Sequence, residues 1–134
     1  MTSRRGTLIE DGARELLQLH GYSVQVLPPG FHRRLPPVHL IATPPSGETR
    51  YIRIRKINRR VPDAESLDLY CANDLVQLRK FVTGTQPPAS SRCEIWVYSL
   101  SRGFCCFEVT RDAIREVPKL PAGGKMQYRE RCSA

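Results

Sequence analysis

Two arginines set two residues apart, Arg53 and Arg55, are the side chains of this sequence best suited to do chemistry. They lie in TRYIRIRKINRR, residues 49–60, where Arg50, Arg53, Arg55, Lys56, Arg59 and Arg60 place six cations in eleven residues. A guanidinium is planar, always charged and carries five N–H donors, which suits it to phosphate or carboxylate oxygens. Arg33 and Arg34, just upstream, add to the charge, and the 134-residue chain is +8 overall. That balance favours a polyanionic partner such as the backbone of DNA or RNA. Arg33, Arg34, Arg53, Arg55, Lys56, Arg59 and Arg60 are therefore the candidate phosphate contacts. A bland reading stands beside this one: Arg53 and Arg55 pair with helix acids such as Glu10 or Glu15, or lie on solvated sheet.

Other chemistry is thinly represented. No GxxxxGK[ST] or GxGxxG loop occurs to cradle a nucleotide. His20, His32 and His39 stand near no GxSxG-type nucleophile. The cysteines, Cys71, Cys93, Cys105, Cys106 and Cys132, include no CxxC pair and offer no zinc spacing. Most read as small reduced core residues, with Cys132 exposed in the tail. Carboxylates cluster on the expected helices, and none pairs with another on the second or third strand. No metal and no cofactor is expected.

The elements that position these residues follow from periodicity. A first helix is capped by Thr7, carries Leu8, Ile9, Ala13, Leu16, Leu17 and His20 near helical spacing, and ends at Gly21. Strands are expected over residues 22–27, 38–43 and 49–57, an antiparallel meander whose second turn holds Pro44, Pro45 and Gly47. In the third strand Ile52 and Ile54 alternate with Tyr51, Arg53 and Arg55, which predicts one buried and one cationic face. A second helix spans residues 64–82, capped by Asp63, with Leu67, Tyr70, Cys71, Leu75, Leu78 and Val82 as its apolar stripe. Strands over residues 93–100 and 104–110 form a hairpin through Ser101, Arg102 and Gly103. A short helix over residues 112–117 precedes a tail without periodicity, residues 119–134, expected to be mobile. Residues 1–118 then form one α/β (α+β) domain with a single mixed sheet of about five strands in αβββαββ order and two main helices. No apolar run reaches the roughly 18 residues that span a bilayer, and no secretory h-region follows Arg4 and Arg5. A cytoplasmic protein with no membrane role is expected.

The order αβββαβ, opening with Arg5-Gly6-x-x-x-Glu10 and running through Leu16 to Gly21-Tyr22-Ser23-Val24, resembles the PD-(D/E)XK nuclease superfamily, and most closely its Holliday junction resolvase and Mrr-like branch. The resemblance covers residues 5–110 and rests on layout and hydrophobic pattern. It implies a restriction-endonuclease-like core with a glutamate on the first helix, an aspartate on the second strand and Glu-x-Lys on the third. Here those positions fall on Glu10, His39, Arg53 and Arg55. A guanidinium has no acceptor and cannot ligate a metal ion. The resemblance thus implies a vestigial site at Glu10, His39, Arg53 and Arg55, with no catalytic residues, in a degenerate nuclease that still binds nucleic-acid phosphate.

Three alternatives remain at this level. The hairpin over residues 93–110 is apolar on both faces, which suits an interaction or scaffold domain that dimerises there through a fifth strand at the sheet edge. An enzyme would need Glu10, His39 and Glu48 or Asp63 to converge. A double-stranded RNA-binding domain shares the αβββα order of residues 7–82, but its second helix should begin with lysines, whereas here Asp63, Glu65 and Asp68 begin it.

Overall fold

Sixteen residues, Arg4–Leu19, form the first helix, α1, in a computed structural model that describes residues 4–28, 36–57, 64, 67–84, 90–99, 102–118 and 120. The helix starts three residues before Thr7, so that threonine does not cap it. Its end is as the glycine predicted. Gly21 has φ of 88°, Tyr22 N–H donates to Leu17 O at 3.0 Å and Gly21 N–H to Gln18 O at 3.0 Å. This pair of bonds is a Schellman cap.

Six strands make one sheet in the order β1-β2-β3-β4-β5-β6. They are β1 (Ser23–Val26), β2 (Leu40–Thr43), β3 (Thr49–Lys56), β4 (Ser91–Ser99), β5 (Gly103–Val109) and β6 (Ile114–Val117). The expected meander is present: β1 pairs antiparallel with β2, and β2 with β3. β3 and β4 run parallel from Thr49↔Ser91 to Lys56↔Tyr98, joined through α2 (Leu67–Tyr70) and α3 (Ala72–Gly84). A parallel pair requires such a crossover. The predicted second helix is interrupted at Cys71, although Cys71 N–H still donates to Leu67 O and Leu75 N–H to Cys71 O, both at 2.9 Å.

The predicted helix over residues 112–117 is instead a strand. A turn closes on Thr110, whose N–H donates to Ala113 O at 2.9 Å, and Ile114–Val117 then pairs with β5. The segment is too short to repay helix nucleation, while the neighbouring strand offers ladder bonds at once. β5 is consequently internal, and the edges are β1 and β6. Arg115 of β6 ion-pairs with Glu108 of β5.

Both faces of the sheet are covered. α1 lays Ala13 and Leu17 on Leu40, Ala42, Ile52, Ile54, Trp96, Cys106 and Val117. On the other face α2 and α3 lay Leu67, Cys71, Leu75, Leu78 and Phe81 on Cys93, Ile95, Val97, Cys105, Phe107 and Val109. The two-sided apolarity of the hairpin is therefore core, which removes the footing for dimerisation through it. β3 is likewise not half-buried. Tyr51 packs against Phe81 with ring centroids 5.4 Å apart, and Arg53 is buried on the same face. Residues 58–63, most of the tail, and the loop with His32, Arg33 and Arg34 lie outside the described residues.

Candidate functional site

The start of β2, the end of β3 and the end of β4 meet at one end of the sheet. Leu40 pairs with Ile52, His39 N–H donates to Ile52 O at 2.9 Å, and Lys56 lies opposite Tyr98. Alternation along β3 turns Arg53 and Arg55 toward α3 at this end. Arg53 Nε donates to Asp74 Oδ1 at 2.6 Å, and Arg55 Nη1 donates to Asp74 Oδ2 at 3.0 Å. One carboxylate in the first turn of α3 thus bridges two guanidiniums of one strand, and the helix dipole favours its charge there.

The two arginines are held unequally. Arg53 is 11% exposed and also donates from Nη1 to Pro37 O at 2.9 Å. Arg55 is 47% exposed, and Asp74 is its one hydrogen-bond partner among the described residues. Asp74 itself is 4% exposed.

His39 sits beside this triad. Its Nδ1 accepts a hydrogen bond from Ile54 N–H at 2.9 Å, so a neutral ring carries its proton on Nε2, which lies 3.8 Å from Glu10 Oε2. Burial pushes the imidazole below its ordinary range, the Arg53 guanidinium adds to this, and Asp74 opposes it. Burial pushes the Glu10 carboxyl up, helped by Asp11. Nδ1 of His39 is thus held by the backbone, which suits a positioned side chain better than a general base.

Of the four positions singled out from the sequence, Arg53 and Arg55 share Asp74 on the α3 side of the sheet, while Glu10 of α1 lies 3.8 Å from His39. The paired-arginine alternative is also met, but its acid is Asp74 rather than Glu10 or Glu15. The signal for Asp74 was present in the sequence. In α2 and α3 the buried positions Leu67, Cys71, Asp74, Leu78 and Phe81 recur at spacings of four and three, so an acid stands in the apolar stripe. Lys56 is exposed at the strand end, while Arg33, Arg34, Arg59 and Arg60 lie outside the described residues. Glu48 is exposed in the turn before β3 and ion-pairs with Arg92, whose Nη1 is 3.7 Å away, so it does not join Glu10 and His39.

Arg50 does not share this face. It belongs, with Arg92 opposite it on β4, to a second ionic group under α1. There Glu94, fully buried, accepts from Trp96 Nε1 at 2.7 Å and faces Arg50 Nη1 at 3.4 Å. Arg92 Nε lies 2.6 Å from Glu94 Oε2, although its N–H is not aimed at that oxygen. Arg50 also stacks 5.2 Å from the Tyr22 ring centroid. The cationic run is thus divided between two faces rather than forming one continuous patch.

The gathered residues do not fit a divalent cation. Two of them are guanidiniums without acceptors, and Asp74 already spends both oxygens on those guanidiniums. Among the described residues no three His, Cys, Asp or Glu side chains converge as a metal site would need.

No family model matches the sequence, and no curated protein matches it. Among solved structures the chain is similar to Hjc, a Holliday junction resolvase from the archaeal hyperthermophile Archaeoglobus fulgidus. The TM-score is 0.55 at 12% sequence identity, covering 84% of this chain and 88% of the resolvase. The layout read from Arg5-Gly6-x-x-x-Glu10 and the αβββαβ order is borne out as a fold. This chain has a restriction-endonuclease-like fold, a single mixed sheet of six strands with helices on both faces.

Proposed function

We propose that the chain binds the phosphate backbone of nucleic acid at the β2/β3 end of its sheet and does not cleave it by the metal-dependent route of the nucleases whose fold it shares. The reading rests on one observation: where the fold's nuclease pattern calls for Glu-x-Lys, this chain carries Arg53 and Arg55, fixed by Asp74. Guanidiniums at these positions suit an anion and repel a cation. The net charge of +8, the exposed Lys56 and the similarity to a protein that resolves Holliday junctions support it. No helix among the described residues is long and apolar enough to cross a membrane.

The test is fluorescence anisotropy with labelled duplex DNA and RNA in a salt series, with a parallel cleavage assay in magnesium. The reading predicts binding whose log K falls by about 0.9 per phosphate contacted for each log unit of salt on duplex DNA, with no cut strand. Absent binding, or magnesium-dependent cutting lost in Glu10→Ala, would contradict it.

A further inference from the structure

The two arms of the Arg53–Asp74–Arg55 clamp differ in a way that assigns them different work. Arg53 is nine-tenths buried and tied to both Asp74 and the Pro37 carbonyl, so pulling it out would strand a charge inside the protein. Arg55 is about half in solvent and held by one bond. With its own side chain about half in solvent, Arg55 can leave Asp74 for water far more readily than Arg53 can. When it does, Asp74 keeps its 2.6 Å bond to Arg53 and is not left unpaired.

We infer that Arg55 is a phosphate-binding arm latched by Asp74: in the free protein Asp74 takes the place of one phosphodiester oxygen, and the backbone of a bound strand displaces it at Arg55 alone. This deepens the proposed nucleic-acid reading and rests on it. Arg53 then serves as the fixed post of the latch and makes no phosphate contact. The ligand is a phosphodiester group, and inorganic pyrophosphate offers the same oxygens without a polymer.

Titration of the ¹⁵N-labelled protein with a short DNA duplex, read on the arginine Nε–H resonances, tests this directly. The Arg55 resonance should move with saturation while the Arg53 resonance, hydrogen-bonded to Asp74, stays in place. Arg55→Gln should weaken duplex binding roughly tenfold. Asp74→Asn, where it folds, should tighten binding up to about fivefold by releasing the arm, and Arg55→Gln should abolish that gain. Pyrophosphate moving Arg55 while the duplex does not would place a free phosphate compound at the arm and overturn the backbone assignment. Duplex binding that leaves Arg55 unmoved, or moves Arg53 equally, overturns the latch but spares the proposed function. No binding of duplex or pyrophosphate at all overturns both.

Discussion

Arg53 and Asp74, 21 positions apart in sequence, form a buried hydrogen-bonded ion pair of 2.6 Å that fastens the first turn of α3 to the middle of β3. Breaking such a pair from one side leaves the other charge uncompensated, which costs about 3–5 kcal/mol, whereas replacing both by apolar groups of similar volume is often neutral. Asp74→Ala and Arg53→Ala are each expected to destabilise by that amount in urea unfolding. Arg53→Met combined with Asp74→Leu should recover most of the loss. A double variant as unstable as the sum of the singles would show that the pair is not the unit that matters.

Arg55 should behave otherwise. With its side chain half in solvent, Arg55→Ala is expected to change stability by no more than about 1 kcal/mol. The contrast between Arg53→Ala and Arg55→Ala in the same denaturant series checks that the clamp has one structural arm and one available arm.

The histidine beside the clamp gives a pH signature. His39 is held below its ordinary 6.5 by burial and then by Arg53, so as pH falls below 6.5 the unfolded chain takes up a proton that the folded chain resists. Stability is therefore lost as pH falls from 6.5 through the folded value. Glu10 acts with the opposite sign. Raised above 4.5 by burial and by Asp11, it contributes stability that is present below 4.5 and lost as pH rises through its folded value. Thermal unfolding of wild type and His39→Gln should diverge just below 6.5, with the wild type falling faster. An NMR midpoint for His39 above 6.5 would mean that Glu10 at 3.8 Å, rather than burial, governs the ring.

The cysteines are expected to be inert in the native protein. Burial pushes the Cys71 thiol up to about 11 and the Cys93 thiol up to about 12, and Cys105 and Cys106 are buried. The thiolate is the reactive form. A disulfide exchange reagent near neutral pH should leave these four unmodified until denaturant is added, as peptide mapping of the modified sites would read. Prompt native-state modification of Cys71 would indicate opening at the break between α2 and α3.

Much of the fold was legible because local signals agreed with one another. Gly21 at the helix end, Pro44-Pro45-Ser46-Gly47 in the turn, and the alternation in β3 each specify backbone geometry from sequence alone. What escaped depended on partners distant in sequence. The segment Ile114-Arg115-Glu116-Val117 becomes a strand because β5 offers it a ladder, which no local pattern announces. The charge of β3 read as an exposed face because its neutralising acid stands on α3. By residue type Asp74 is one more helix acid, and only its place in the buried stripe between Cys71 and Leu78 distinguishes it. Glu94 escaped for the same reason, since its arginines come from two strands.

The latch requires that Arg55 meet a backbone phosphate. The most direct measurement is the salt dependence of duplex DNA binding for wild type against Arg55→Gln. The predicted result is a steep loss of affinity with salt in the wild type and a log–log slope shallower by about 0.9 in the variant, one phosphate contact fewer. Equal slopes in the two proteins, or no binding by either, would contradict it.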